Sequence, residues 1–353
     1  MNRITLQRLA LALADHSTAR LPVELQQGPE GTLLVAGTSR WCRYLPERFF
    51  GGPAPHRRLL GHVPVWCLPK VMERWLPRVD LAIARVTVLA MGHFPAGRQL
   101  HVPEWVCTVA SVPSSARFPA ATRRGRKQRL ILKQGLSWRF SHDPSELGTF
   151  IARDYRPYIL QRYGQEAYLR SERWMRQRFR RGALIWIERG DQPLAAALVE
   201  QRGPSLHYLA AACCHGDPSH LDTGAIGATY LASFDLSREL GCTQVDLRNT
   251  RPSPADGLLA QKLAWGGVIT SADDLTHDLL LSWERASPSL LRFLASTPLL
   301  FRQGDALACL DADPTNAQTT KAAASPALPG ITHRCLLRLG DGVPPWEPQT
   351  ATP

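Results

Sequence analysis

Residues 180–214 constrain the fold more than any other stretch, because three apolar runs are separated there by two short polar turns. The runs ALIWIER, LAAALVEQ and SLHYLAAAC are interrupted by GDQP at 190–193 and by RGP at 202–204. Turns of this length, rich in Gly and Pro, are typical of β-hairpins when they join short apolar runs. The stretch therefore predicts a three-stranded antiparallel meander.

The chain after the meander predicts a helix and another strand. The run AIGATYLASFDLSREL places Ile226, Tyr230 and Phe234 at helical spacing, and Gly241 lies where a helix C-cap belongs. The following TQVDLRN alternates like a strand, with Asp246 on the face opposite its apolar neighbours. A short helix, PADGLLAQKLAWGG, then precedes a strand-like region from 268 to 281.

The chain before the meander predicts two helices and a less regular first half. The segment SHDPSELGTFIARDYRPYILQRYG begins with a cap-like Asp143 before Pro144, and QEAYLRSERWMRQRFRRG forms a second helical segment. Residues 21–120 alternate β-like runs with Pro- and Gly-containing loops and a helix-like WCRYLPERFF, which indicates a mixed α/β unit. The small residues, Pro and basic run at 114–130 are typical of a connection between two units.

Composition limits the classes of protein. A chain of 353 residues is long enough for two domains, and 44% hydrophobic with 20% charged residues excludes a wholly disordered chain. The formal charge of +12 invites a polyanionic partner, and the densest basic run lies at 123–129. Exposure of this basic face to solvent explains the run as well. The more specific interpretation is that the run binds a phosphate-bearing cofactor or substrate.

Cysteine spacing and hydropathy give the remaining expectations. The eight cysteines show no CxxC spacing, so we expect buried thiols in a reducing compartment, without a metal site or a disulfide framework. No uncharged apolar run is long enough to predict a membrane span, which requires about 18 residues or more. Residues 1–20 are expected to form an amphipathic helix or an irregular start, and the protein is expected to be cytoplasmic. The tail 311–353 is expected to be unstructured, although HRCLLRLG could rejoin the fold.

The order of these segments resembles a GNAT-type acyltransferase domain. GRKQRLILKQGLSWRF before an Asp-Pro helix, then GALIWIERGDQPLAAALV, ELGCTQVDLRNT and AQKLAWGG, resembles the tandem-domain, Fem-like branch that includes peptidoglycan aminoacyltransferases. The resemblance covers residues 125–285 and implies an α/β fold with mixed sheets. It implies a degenerate GNAT-like domain at 21–120 and a GNAT acyltransferase domain at 121–310.

The resemblance also implies where a donor binds. A GNAT fold parts its fourth and fifth strands, here SLHYLAAA and TQVDLRN, and the thioester arm of acetyl-CoA or another acyl-CoA lies in the gap. The small side chains at Ala210, Ala211 and Ala212 suit a close approach of that arm, although tight packing of the meander explains them equally well.

The pyrophosphate of that donor would lie at the start of the next helix, DTGAIGA, where backbone N–H groups favour anions. The implied cofactor-binding residues are Thr223, Gly224 and Gly227. The family's basic first residue is absent, and Asp222 stands before the glycines. By itself Asp222 is expected to be a helix N-cap.

Candidate catalytic residues lie on the two parting strands. Asp246 is the candidate for acid/base work or for orienting the amine, with an ion pair to Arg248 as the structural alternative. His207 and Tyr208 point to opposite faces of their strand, so only one can face the acyl carbon, and Tyr208 would protonate a leaving thiolate. A strand histidine is more often structural.

The resemblance implies that the acceptor cleft is lined by Lys262 and Trp265, and Arg248 is a further substrate-binding candidate. Trp265 as part of the core is an equally good interpretation. The implied activity is transfer of an acyl group from a thioester to a small-molecule or peptidyl amine, without a metal. The alternatives are an aminoacyl-tRNA-dependent Fem-like aminoacyltransferase and a catalytically silent GNAT-fold binding module.

Overall fold

The structure is a computed structural model that describes residues 20–87, 90–94, 99–164, 167–272, 277–312 and 328–342. The chain divides into two compact units. The first contains the chain up to Val106, Thr250–Ala260 and the chain from Ile269 onward; the second contains Cys107–Asn249 and Gln261–Val268. The units thus differ in their bounds from the predicted domains 21–120 and 121–310, and the predicted N-terminal segment lies outside the described residues except for Arg20.

The described elements are as follows. The strands are β1 (Arg20–Gly28), β2 (Gly31–Ala36), β3 (His56–Pro64), β4 (Leu81–Thr87), β5 (Leu100–Pro103), β6 (Val106–Ser111), β7 (Leu136–Ser141), β8 (Gly182–Arg189), β9 (Gln192–Arg202), β10 (Ser205–Cys213), β11 (Gln244–Asp246), β12 (Val268–Ser271), β13 (His277–Ser282), β14 (Leu299–Gln303), β15 (Ala306–Ala312) and β16 (Arg334–Leu337). The helices are α1 (Trp41–Phe50), α2 (Leu68–Trp75), α3 (Arg123–Lys133), α4 (Pro144–Thr149), α5 (Arg156–Tyr163), α6 (Glu172–Phe179), α7 (Ala225–Glu239), α8 (Gly257–Ala264) and α9 (Pro288–Ser296), with a π-helical turn at Phe150–Tyr155. None of these helices is long and apolar enough to cross a membrane.

The first unit is built on a mixed sheet in the order β3–β1–β2–β4–β13–β5. Its strands β2 and β4 are parallel, whereas β13 pairs antiparallel with β4 and β5. A small sheet, β14–β15–β16, completes the unit. Because β16 pairs with β15 in parallel, HRCLLRLG rejoins the fold, which is the alternative that the sequence left open for the otherwise unstructured tail expected at 311–353.

The second unit contains the meander that the sequence predicts. Strands β8, β9 and β10 pair antiparallel in succession, and Gly190 and Gly203 occupy the turns with φ of 58° and 54°. Within this unit the strands lie in the order β6–β11–β10–β9–β8–β7. Helix α7 packs on one face through Tyr230 and Phe234, and the helices before the meander pack on the other through Phe150 and other apolar side chains.

Two connections differ from their predictions. The segment 114–130 is not only a connection, because α3 begins within it at Arg123 and the Thr122 hydroxyl accepts a hydrogen bond from the Gly125 N–H. The region 268–281 is not one strand of the second domain, because its second part, β13, pairs in the sheet of the first unit. The first difference arises from a local helix cap, and the second from pairing with a strand distant in sequence.

Candidate functional site

Strands β10 and β11 part in the middle of the second unit's sheet. They pair in parallel only from Ser205 to His207, and the last pair is His207 with Asp246. Beyond it the chain stays beside β6, where the Leu247 N–H donates to the Thr108 carbonyl (2.8 Å), while β10 continues to Cys213. Among the described residues no strand pairs with 208–213 on that side, so this edge presents backbone groups that need partners.

A β-bulge in β10 lies at the same place. The register between β10 and β9 shifts between Tyr208 and Ala210, which changes the faces of the residues beyond it. Ala210 and Ala212 pack with the helices before the meander, whereas Ala211 contacts the core beneath α7. The three alanines therefore line both faces of the open edge, and their binding role stays a prediction.

His207, Asp246 and Arg248 form one polar group where the strands part. The His207 Nδ1 lies 3.2 Å from Asp246 Oδ2, and Arg248 Nη1 lies 3.0 Å from the same oxygen. The Arg248 N–H donates to Asp246 Oδ1 over 2.7 Å. Arg248 has a φ of 64°, an uncommon left-handed conformation for a non-glycine residue, and such residues cluster at functional sites.

Two neighbours compete for His207 Nδ1. A protonated Nδ1 donates to Asp246 Oδ2 at 3.2 Å, whereas an unprotonated Nδ1 accepts from Arg248 Nη1 at 3.3 Å. In the first tautomer, Nε2 keeps a lone pair that can accept another proton. Burial lowers the pKa of His207 below its ordinary value near 6.5, although Asp246 acts to raise it, so the ring is neutral at neutral pH.

Sequence reasoning missed a second group on the same face of the sheet. Glu200 of β9 is the cross-strand neighbour of His207, and its side chain is fully buried. It pairs with Arg178, Arg181 and Arg202. The available signal was a single acidic residue inside the apolar run LAAALVEQ.

The start of α7 differs from the predicted phosphate-binding turn. Gly224 is the N-cap with a φ of 78°, and the Thr223 hydroxyl accepts from the Ala225 N–H (3.3 Å) and donates to the His220 carbonyl (2.7 Å). Asp222 is exposed and ends the preceding 3-10 turn, so its expected role as N-cap is wrong. The segment 214–228 contains no Lys or Arg, and an anion there would depend on backbone N–H groups and the helix dipole.

Comparisons with known proteins give distant structural matches. No family model matches the chain, and no curated protein matches its sequence significantly. Solved structures that match include L-PGS from Bacillus licheniformis (TM-score 0.37, 11% identity, 75% of this chain and 81% of that chain). FemX matches with a TM-score of 0.36 and 13% identity over 76% of this chain and 90% of that one. A GCN5-related N-acetyltransferase from Sphaerobacter thermophilus matches with a TM-score of 0.31 and 12% identity over 72% and 80%.

The second unit has a GNAT-type fold. This assignment rests on the topology of the unit, in which the meander β8–β10 is followed by helix α7 and then by strand β11. Strand β11 is parallel to β10 and parts from it, and β10 contains a bulge. The predicted fold class, α/β with mixed sheets, is confirmed, since each unit contains a mixed sheet with a parallel strand pair. The GNAT-like character of the first unit stays a prediction. The predicted resemblance to GNAT-fold, Fem-like proteins is confirmed at the level of the fold.

Lys262 holds the turn that follows β11. Its side chain is 3% exposed, and its Nζ donates to the carbonyls of Arg248 (2.8 Å) and Asn249 (3.1 Å). These two carbonyls belong to the turn that carries the Arg248 guanidinium. In this structure Lys262 therefore holds the turn. Trp265, its predicted companion, is buried in the core against Tyr230.

Replacing Lys262 by Met is expected to destabilise the protein by about 2–4 kcal/mol, because two buried carbonyls lose a charged donor. Thermal or denaturant unfolding followed by circular dichroism measures the change. Lys133→Met at the exposed end of α3 makes the same substitution without that loss and should change stability little. Equal stability of the two variants would show that Lys262 does not hold the turn.

Tyr208 lies away from the His207 group. Its hydroxyl is 2.6 Å from the Thr229 hydroxyl of α7, and its ring stacks on Tyr230 at 4.7 Å between centroids. Burial raises the pKa of Tyr208 well above its ordinary value. The structure thus assigns the hydroxyl a partner in the core and does not bring it together with His207.

Tyr208→Phe separates the structural role from the predicted proton-donor role. Loss of one buried hydrogen bond should cost about 1–2 kcal/mol of stability and leave the turnover of folded protein unchanged. Unfolding curves and initial rates per folded molecule give the two quantities. A fall in turnover of tenfold or more with intact folding would restore Tyr208 to the catalytic set.

Proposed function

We propose that the second unit is an N-acyltransferase that moves an acyl group from a thioester to an amine by direct attack. One observation carries the proposal: β10 and β11 part at His207 and Asp246, so an oriented histidine lies beside an open strand edge. An extended acyl arm can pair with such an edge as an added strand does. The proposed general base then lies where the arm ends.

The chemistry requires one proton transfer in each direction. The neutral amine attacks the thioester carbonyl and forms the C–N bond while the C–S bond breaks. His207 Nε2 takes the proton that the amine loses and can return it to the leaving thiolate. We propose the tautomer in which Asp246 accepts the Nδ1 proton of His207, so that Asp246 also stabilises the imidazolium while it exists. Backbone N–H groups on the open edge of β10 are the proposed donors to the carbonyl oxygen.

We propose an acyl-CoA as the donor, and its acyl end and its nucleotide end would bind at different places. The open edge of β10 fits the acyl end and the arm. The start of α7 offers Gly224 and Gly227 but no basic side chain, so the pyrophosphate would be held by backbone N–H groups and the helix dipole. We therefore expect weaker binding of the nucleotide end than a basic turn would give.

A second candidate donor is an aminoacyl ester of tRNA, because one observation favours it. Helix α3 carries six basic residues and no acidic one, and Arg126, Arg129 and Lys133 are exposed. Such a surface attracts a polyanion with a marked salt dependence. The absence of Lys and Arg side chains at the start of α7 also favours this second donor.

Ligand binding and product formation test these candidates together. The full chain is mixed with acetyl-CoA, a longer acyl-CoA or aminoacyl-tRNA at low and high salt, and thermal shift and mass of an acylated amine are measured. Acyl transfer from an acyl-CoA supports the proposal, and transfer from aminoacyl-tRNA alone supports the second candidate. Absence of any binding and any product would indicate a catalytically silent fold.

A further inference from the structure

The Glu200 cluster, which consists of Glu200, Arg178, Arg181 and Arg202, holds more positive charge than one carboxylate needs. The Glu200 oxygens lie 2.6 Å from Arg202 Nη2, 3.0 Å from Arg181 Nη2 and 3.5 Å from Arg178 Nη1. In the part of the chain that the structure describes, these three guanidinium groups pair with this one carboxylate. Two positive charges are therefore in excess.

Structure alone does not require three arginines at this place. A buried carboxylate is costly unless it is paired, and Arg202 already supplies a close ion pair through two nitrogen atoms. Each further guanidinium adds repulsion with the first. The excess is compensated if an anion binds beside the cluster.

The cluster is open to solvent on one side. Glu200 is fully buried, whereas the side chains of Arg178, Arg202 and Arg181 are 24%, 36% and 64% exposed. The carboxylate thus fixes the inner side of each guanidinium, and the outer side faces water. Guanidinium groups held in this way match the planar oxygens of a carboxylate or phosphate.

The cluster also lies next to the proposed base. Glu200, His207 and Asp246 are register partners across β9, β10 and β11. Directly opposite residues on neighbouring antiparallel strands have Cβ atoms about 5 Å apart. The positive charges of Arg202 and Arg248 both act to lower the pKa of His207, so the charge of the cluster reaches this ring.

We propose that the Glu200 cluster binds an oxyanion of the acceptor, so that the acceptor is an amine bearing a carboxylate or a phosphate close to its nitrogen. This inference rests on the proposed acyl transfer and specifies its acceptor. The oxyanion contacts Arg181 and Arg202, and the amine then lies beside His207. The short separation between the cluster and His207 selects acceptors in which a few bonds join the two groups.

Binding of small amines without any donor tests the inference. The probes are β-alanine, O-phosphoethanolamine and the uncharged β-alaninamide, and the readouts are isothermal titration calorimetry and the NMR signals of the His207 ring. At least one acidic amine should bind about tenfold more tightly than the amide, as charge-assisted hydrogen bonds imply. The two acidic probes distinguish a carboxylate from a phosphate.

Variants of the cluster assign the effect to its residues. Arg181→Gln alters the most exposed arginine, and Arg202→Gln removes the closest pair; each should remove most of the preference for the acidic probe. Arg181→Gln keeps the test valid if Arg202→Gln fails to fold. Arg176→Gln is the matched control, because Arg176 pairs with Glu172 on the same helix α6.

The outcomes separate this inference from the proposed function. Equal binding of the acid and the amide, or an unchanged preference in Arg181→Gln, overturns the acceptor inference. Acidic amines that bind through the cluster support it, even if no donor then gives an acylated product. In that case only the acyl-transfer proposal fails.

Discussion

Replacing His207 by Gln is expected to lower kcat/KM for acyl transfer by about 10²–10⁴-fold, the usual contribution of a positioned general base. The amide of Gln can form a hydrogen bond with Asp246, but it cannot take a proton from the attacking amine. Binding of the donor should change little, because the donor arm is proposed to contact the backbone of β10. Steady-state rates with the donor and acceptor identified by product mass provide the measurement.

A control variant separates this effect from the effect of replacing any histidine by Gln. His56 is an exposed strand histidine of the first unit, and His56→Gln should retain near wild-type rates. Equal unfolding curves for the two variants would show that folding is unaffected. A His207→Gln protein that keeps more than about a third of the wild-type rate would contradict the assignment of the base, since a positioned base contributes about 10²-fold or more.

Replacing Asp246 by Asn is expected to lower kcat/KM by about 10²-fold or more, because a carboxylate that orients a catalytic histidine contributes up to about 10⁴-fold in a comparable arrangement. Asn has nearly the same size but can donate to His207 Nδ1, which moves the ring proton to Nε2 and removes the acceptor. It also loses the ion pair with Arg248, whose Nη1 lies 3.0 Å from the carboxylate.

The pH dependence distinguishes orientation from simple destabilisation. The Asp246 carboxylate raises the pKa of His207, so its loss should move any remaining inflection in the rate to lower pH. Asp191→Asn, in the exposed turn between β8 and β9, provides the same chemical change away from the site. An Asp246→Asn enzyme with wild-type kcat/KM and pH profile would show that the carboxylate has no part in the reaction.

Local signals in the sequence predicted much of the second unit. The Gly-containing turns at 190 and 203 gave the meander, because only a few turn types join adjacent strands. Asp143 before Pro144 marked the start of α4, where its carboxylate accepts from the Ser145 N–H. The helical spacing of Ile226, Tyr230 and Phe234 marked α7. Each of these signals acts within a few residues of its effect.

The geometry where β10 and β11 part could not be predicted in the same way. It depends on β6, a strand more than a hundred residues earlier in the chain, which pairs with β11 and continues beside Leu247. The left-handed Arg248 likewise lies in a turn whose carbonyl accepts a hydrogen bond from Lys262 of α8. The strand pattern predicted that Asp246 lies on the face opposite Val245, but it did not predict the contact between Asp246 and His207.

Two local interpretations failed for physical reasons. Asp222 resembled a helix cap, yet the chain uses Thr223 and Gly224, because the left-handed Gly224 turns the backbone into α7 after a 3-10 turn. Glu200 was not predicted as a site residue, because it lies within an apolar run. Its burial depends on Arg178, Arg181 and Arg202, of which only Arg202 lies nearby in sequence.

The pH dependence of kcat/KM in wild-type protein and in His207→Gln shows whether His207 is the general base. Burial lowers the pKa of His207, so the wild-type rate should rise with pH through an inflection below 6.5, above which the neutral ring can accept a proton. That inflection should be absent in His207→Gln, while a second inflection at higher pH, from the acceptor amine, remains in both. A low-pH inflection that persists unchanged in His207→Gln would show that His207 is not the base.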